Sequence, residues 1–310
     1  MNVELLDAGA DLVAALADRV ADRHAGRGTM EDALVLLPGK RIGHFLRREL
    51  ARRVGAAFAP PRIATLGELV DELFDRWNGG GLPMARPIDA VALLHDVQRA
   101  AEQPLGGGGF TSLDAFLPLG FRIFDAVEEL LIEGVEPAAV GGVQALVEEG
   151  VPPAARERLA SLRSFYEALY PALAAAGLST RSSRIRAVAD RLSADDLAAH
   201  RTIVAAGFVE LRKAERRILS LVAALPSATV LLGEGPALPA LLEAIGAHGS
   251  TAGTPGRAPR AETPAPAPRR PEVHFHRSPD AHGQVFALAA LLPKPDPRAV
   301  VVLPSPDTLF

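Results

Sequence analysis

Residues 33–50 read ALVLLPGKRIGHFLRREL, and this stretch decides the fold class. Ala33–Leu37 is an unbroken apolar run, as expected of a strand buried on both faces of a parallel sheet; a half-exposed strand would alternate with polar residues. Pro38-Gly39 ends it. Ile42–Val54 then carries apolar residues at helical spacing, with Ile42, Phe45, Leu46 and Leu50 expected inward and Arg47, Arg48, Arg52 and Arg53 outward. A buried strand running into an amphipathic helix is half of a βαβ unit, and the flanking sequence supplies the rest. Val3–Leu6 reads as a strand, Ala10–Arg23 as a helix, Arg62–Thr65 as a strand and Leu66–Trp77 as a helix. The opening is therefore βαβαβα, expected to wind right-handed with helices covering a parallel sheet.

From Gly79 to about His200 the strand signal vanishes. Helices are read at Ile88–Glu102, Ser112–Glu133, Ala154–Ala176 and Arg181–Leu192, the second opening on a capping-box-like Thr111-Ser112-Leu113-Asp114. The sheet pattern returns as strand Thr202–Ala206, helix Glu210–Leu225, strand Ala228–Leu232 and helix Leu238–Ala247. Residues 249–271 are rich in Pro, Gly, Thr and Ala and read as a linker. Past them come strand Glu272–His276, helix Ala281–Leu292 and strand Ala299–Leu303. The expected organisation is an α/β domain from residues 1–78 and 201–248, a helical insertion at 79–200, the linker, and at 272–310 the truncated start of a second α/β domain.

The composition narrows the chemistry. Of 310 residues, 48% are apolar and 23% charged, which excludes wholesale disorder. The net charge of −4 excludes nucleic-acid binding through bulk charge but leaves room for a local basic groove. There is no cysteine, so disulfides, thiolate nucleophiles and cysteine zinc sites are impossible. Glu4, Asp7 and Asp11 interrupt any signal-peptide layout, and Pro226 breaks the longest uncharged apolar run, Ile218–Gly233. The expectation is a cytoplasmic protein with no membrane span. Lysine occurs only at 40, 213 and 294 amid abundant arginine, a bias of the GC-rich kind.

Motifs for catalysis are largely missing. A nucleotide-binding P-loop needs G-x-x-x-x-G-K-[ST], whose backbone N–H groups, lysine and hydroxyl hold phosphate and Mg²⁺. Gly39-Lys40 stands in the right context, but Leu34 replaces the first glycine and Arg41 the hydroxyl residue. A restriction-type nuclease needs [DE]-x-K, so that acids hold the metal and the lysine positions water. Pro38, Leu211 and Leu292 lie two residues before the three lysines, which excludes that motif from this chain. No catalytic, cofactor-binding or metal residue is therefore assigned. His274, His276 and His282 share a strand face and the next helix start, where a metal site is conceivable and plain surface histidines are the simpler reading. Asp195-Asp196 after Ser193 reads as a helix start. The positive charge worth following is Lys40 and Arg41 at a strand's C-terminal end, with Arg47 and Arg48 beyond, because open α/β sheets place ligands there. Thr65, on the neighbouring strand end, completes the candidate DNA-contact set.

Three segments carry a resemblance. ALVLLPGKRIGHFLRREL (33–50), PRIATLGELVDELF (61–74) and TIVAAGFVELRKAERRILSLVAAL (202–225) are similar, in order, to the N-terminal half of AddB-like proteins of the PD-(D/E)XK nuclease family. Those proteins are the nuclease-bearing subunits of bacterial double-strand-break repair helicase–nucleases. Val273–Leu292 and Ala299–Pro304 resemble the start of the second motor-like domain. In the third segment Gly207-Phe208 stands where active helicases keep the Asp-Glu that holds Mg²⁺. The resemblance implies an inactivated, P-loop-helicase-like motor domain with an inserted helical domain, acting as a scaffold and DNA-path wall. It also implies weak contact with single- or double-stranded DNA through strand-end loops, and an ATP-dependent helicase subunit as partner. The family's nuclease domain and iron–sulfur cysteines are absent from this chain. Two other readings compete: a small-molecule transferase on a nucleotide-binding α/β fold, and a pure protein-interaction module.

Overall fold

The computed structural model describes residues 2–7, 9–25, 29–55, 57–101, 105–106, 109–140 and 153–246. The linker at 249–271, the second-domain start at 272–310 and His274, His276 and His282 lie outside the described residues.

Five strands form one parallel sheet: β1 (Val3–Leu6), β2 (Ala33–Leu37), β3 (Arg62–Thr65), β4 (Thr202–Ala206) and β5 (Ala228–Gly233). Their order across the sheet is β1-β5-β4-β2-β3. Val35 of β2 lies between Ile63 of β3 and Val204 of β4, and Val230 of β5 lies between Ala205 and Val3. All five residues of β2 and of β4 are buried, so the apolar run at 33–37 marks the middle of the sheet. Successive side chains point to opposite faces, and both faces are covered by helices, so no polar alternation is possible.

On one face lie α1 (Leu12–Arg23) and α2 (Lys40–Val54). Leu16, Ala17 and Val20 of α1 and Leu46 and Leu50 of α2 join Val35, Leu37, Val204, Ala206 and Leu231 in one apolar cluster. The other face takes Leu34, Leu36, Ile203, Ala205 and Val230 together with α3 (Leu66–Trp77), α7 (Arg181–Arg191), α8 (Lys213–Ala223) and α9 (Leu238–Ala244). Helices α4 (Pro87–Ala100), α5 (Leu113–Ile132) and α6 (Pro153–Ala175) sit in sequence between β3 and β4. They build a separate cluster around Val91, Leu94, Phe116, Phe165 and Leu169. A fully buried side chain of this size contributes about 1.5–3 kcal/mol, so each cluster is held by many such contributions.

Among the described residues, the helix and strand spans expected from sequence stand within about three residues, and β4 matches at both ends; strand Glu272–His276, helix Ala281–Leu292 and strand Ala299–Leu303 lie outside them. Residues 195–197 form a short 3₁₀ turn, with Asp196 accepting from the Ser193 N–H at 2.9 Å, in keeping with a helix-start role. Two side chains depart from expectation. Phe45 faces solvent, 48% exposed, where an inward position was expected. Gly43 explains this: a Cβ built on it would meet Ile63 Cγ2 at 2.8 Å, so α2 approaches the sheet edge-on at that residue. The buried face becomes 42, 43, 46 and 50, and at about 100° per residue Phe45 lies about 110° from its centre. Arg53, expected outward, instead packs its guanidinium between helices, with Nε 2.9 Å from Asp18 Oδ1 and Nη2 3.1 Å from the Ala14 carbonyl.

Candidate nucleic-acid interface

Strands β2 and β4 are neighbours, but the helices that follow them, α2 and α8, lie on opposite faces of the sheet. This is the topological switch point where an open parallel sheet offers a crevice at its C-terminal edge. Only Pro38 and Gly39 separate Leu37 from the first residue of α2. Two residues cannot wrap successive N–H groups around a phosphate in the way a longer glycine-rich loop does. Across the crevice, Gly207 sits at φ +78°, and a Cβ built on it would meet Leu12 Cδ2 at 3.0 Å, Ile42 Cδ1 at 3.4 Å and Pro38 Cδ at 3.6 Å. Phe208 turns into the core beneath α8. Hydrocarbon thus lines the crevice.

Of the three residues picked from sequence, the structure joins two. Lys40 Nζ lies 2.9 Å from Glu68 Oε1. Glu68 also accepts from the Thr65 N–H at 2.8 Å, while the Thr65 hydroxyl oxygen accepts from the Glu68 N–H at 3.1 Å, a reciprocal cap on α3. The Thr65 backbone N–H, then Lys40, holds the Glu68 carboxyl at about 2, well below the usual carboxylate range. These groups line a small cleft of about 100 Å³ with Gly39, Arg47 and Ile63. Of its two cations, Lys40 is matched by Glu68. Arg41, one residue further round the helix, is exposed and does not line that cleft.

What the sequence reading missed is a stripe. Arg41, Phe45, Arg48 and Arg52 recur at i, i+4, i+7 and i+11 along α2 and so share one exposed face. The His44 ring stands edge-on to Phe45, centroids 5.9 Å apart. Arg52 is held by Glu49 at 2.6 Å, but Arg41, Arg47 and Arg48 make no ion pair among the described residues. Beside the stripe runs a groove of about 710 Å³ lined by Asp11, Val13, Phe45, Arg48, Glu49 and Arg52. Its carboxylates already have donors: Asp11 caps α1 through the N–H groups of Val13 and Ala14, and Glu49 binds Arg52 and Arg53. An exposed aromatic face flanked by unmatched guanidinium groups suits a stacked base with phosphates alongside. Re-centring the helical wheel of α2 on 42, 46 and 50 would have exposed Phe45; the shift through Gly43 depends on Ile63, which no local pattern announces.

No protein-family model and no curated protein matches the sequence. Among the described residues no helix is long and apolar enough to cross a membrane.

Proposed function

We propose that this chain is a non-catalytic, helicase-like α/β scaffold that guides single-stranded DNA, forming the N-terminal part of an AddB-like nuclease subunit. In this reading residues 79–200 are an inserted helical domain. The parent protein works beside an ATP-hydrolysing helicase subunit in double-strand-break repair. The observation that carries the reading is the β2–α2 junction. It has the strand–helix geometry of a nucleotide site, yet its loop is two residues long, its crevice is lined by Leu12, Pro38 and Ile42, and unmatched basic residues lie beside it on α2. The five-stranded parallel sheet, with α4, α5 and α6 forming a separate cluster in sequence between β3 and β4, fits the same reading.

The strand lies along Arg41, Phe45 and Arg48, with Lys40 and Thr65 held by Glu68 at the margin. Fluorescence anisotropy with a labelled oligo-dT tests this. Weak binding at low salt is expected, falling by about 0.7 log units per tenfold salt for each phosphate neutralised. Arg41→Glu with Arg48→Glu should weaken it more than tenfold, and Phe45→Ala should cost about 1 kcal/mol or more through lost stacking. Unchanged affinity in both variants overturns the assignment.

A further inference from the structure

On the opposite face of the sheet, a cleft of about 500 Å³ lies between α7 and α8, with the loop residue Gly134 at its rim. Four cations line it: Arg186 from α7 and Lys213, Arg216 and Arg217 from α8. Among the described residues Asp190 is the single carboxylate in the lining, and it is bound to Arg186 at 2.7 Å and to Arg217 at 3.3 Å. Arg186 also holds Glu136 at 2.9 Å, so the pairs on this wall are internally matched. Glu129 and Glu133 at the neighbouring end of α5 are bound by Arg212. That leaves Lys213 and Arg216. Both are exposed and neither has an ion pair among the described residues; Arg216 Nε donates to the Leu211 carbonyl at 2.7 Å, a bond that fixes the guanidinium without neutralising it. Gly134 allows the convergence, since Arg186 Nη1 and the Lys213 stem pass 3.2 and 3.5 Å from where a Cβ would stand.

We infer that this cleft is a second phosphate-binding site, taking the sugar–phosphate backbone of a single nucleic-acid strand. The inference rests on the nucleic-acid reading above but concerns a different surface. Charge complementarity selects an anion. Lys213, Arg216 and Arg217 follow one side of α8 over about one turn, roughly 6 Å, which suits one or two neighbouring phosphates of a strand. Ser220, Ala189 and Ala214 keep the floor low, and Leu221, 37% exposed, offers an apolar contact for a sugar or base. Lysine and arginine contacts to phosphate fix position and carry no sequence preference.

The lysine count makes the test residue-specific, because 40, 213 and 294 are the only lysines in the chain. Acetylation of the full chain with and without oligo-dT, read by mass spectrometry, should show Lys213 protected at least threefold by the strand. In parallel, Lys213→Glu with Arg216→Glu should weaken oligo-dT binding about tenfold and lower the salt slope by about 1.4, two phosphates' worth. Lys213→Gln with Arg216→Gln, checked by circular dichroism, should show a smaller loss in the same direction if charge reversal disturbs folding. Protection of Lys40 without Lys213, or unchanged binding in both double variants, overturns the cleft while leaving the α2 stripe standing. Protection of Lys213 without Lys40, with Arg41→Glu/Arg48→Glu binding normally, removes the stripe and keeps the cleft. Displacement of the strand from Lys213 by polyglutamate as readily as by unlabelled oligo-dT assigns the cleft to an acidic protein partner and overturns the inference.

Discussion

Gly207 shows how one residue fixes the strand-end crevice. Its φ of +78° lies in the left-handed region, and the space its Cβ would need is taken by Leu12 and Ile42. Gly207→Ala should therefore destabilise the protein by about 1–3 kcal/mol, measured by urea denaturation; a neutral result would mean that the crevice is looser than the distances imply. Glu68 is the matching electrostatic case. Its carboxyl is lowered from 4.5 to about 2 in the folded protein, so the contribution is complete above pH 4.5 and is lost as pH falls toward 2. Because the side chain is 44% exposed, solvent screening keeps that contribution below about 1 kcal/mol. Glu68→Gln should lower stability at pH 7 by that amount, and the gap between variant and parent should close between pH 4.5 and 2. A constant gap across that window would show that the loss comes from the cap geometry alone.

Two side chains, one buried and one half-buried, tie the elements between β3 and β4 to the rest. Arg184 of α7, 6% exposed, reaches Asp71 at 3.2 Å and Asp75 at 3.3 Å on α3, donates to the Leu82 carbonyl at 2.7 Å, and stacks on Phe74. Removing it takes the ion pair from Asp75, while Asp71 keeps Arg181 and the Leu82 carbonyl keeps the Ser179 hydroxyl, so Arg184→Ala should cost about 1–3 kcal/mol, chiefly in lost packing and hydrogen bonds. A loss under 1 kcal/mol in thermal or urea unfolding would show the network to be dispensable. Glu128 of α5 plays the second part, accepting from the hydroxyls of Tyr170 at 2.8 Å and Thr180 at 2.6 Å and from the Ser182 N–H at 3.2 Å. Burial, reinforced by this carboxylate, pushes the Tyr170 phenol above its usual range. Sequence order sets α7 after the helices of the 79–200 segment, and Ile185 and Val188 pack in the cluster of α3 and α8. A periodic apolar face says that a helix is buried; it does not say against which neighbour.

At the scale of the molecule, the two-residue β2–α2 loop leads to a direct expectation about nucleotide. A site of 10 μM affinity would add about 2.7 kcal/mol at 1 mM Mg-ATP, enough to raise the melting temperature by several degrees. No shift beyond 1 °C is expected, and a stoichiometric heat of binding in calorimetry would contradict it. The sequence by itself determined the α/β class, the buried central strands at 33–37 and 202–206, most element boundaries, and the absence of P-loop and nuclease motifs from this chain. Those properties follow from short-range periodicity and local chemistry, which a single stretch displays in full. Only the tertiary structure decided that β1 sits at the far edge beside β5, more than two hundred residues away, and that Lys40 is matched by Glu68. It alone turned Phe45 outward and gathered Arg186, Lys213 and Arg216 around one cleft. Strand order, ion pairing and helix rotation depend on which distant faces meet, and that is set by packing across the sheet, where no local pattern in the chain records the partner.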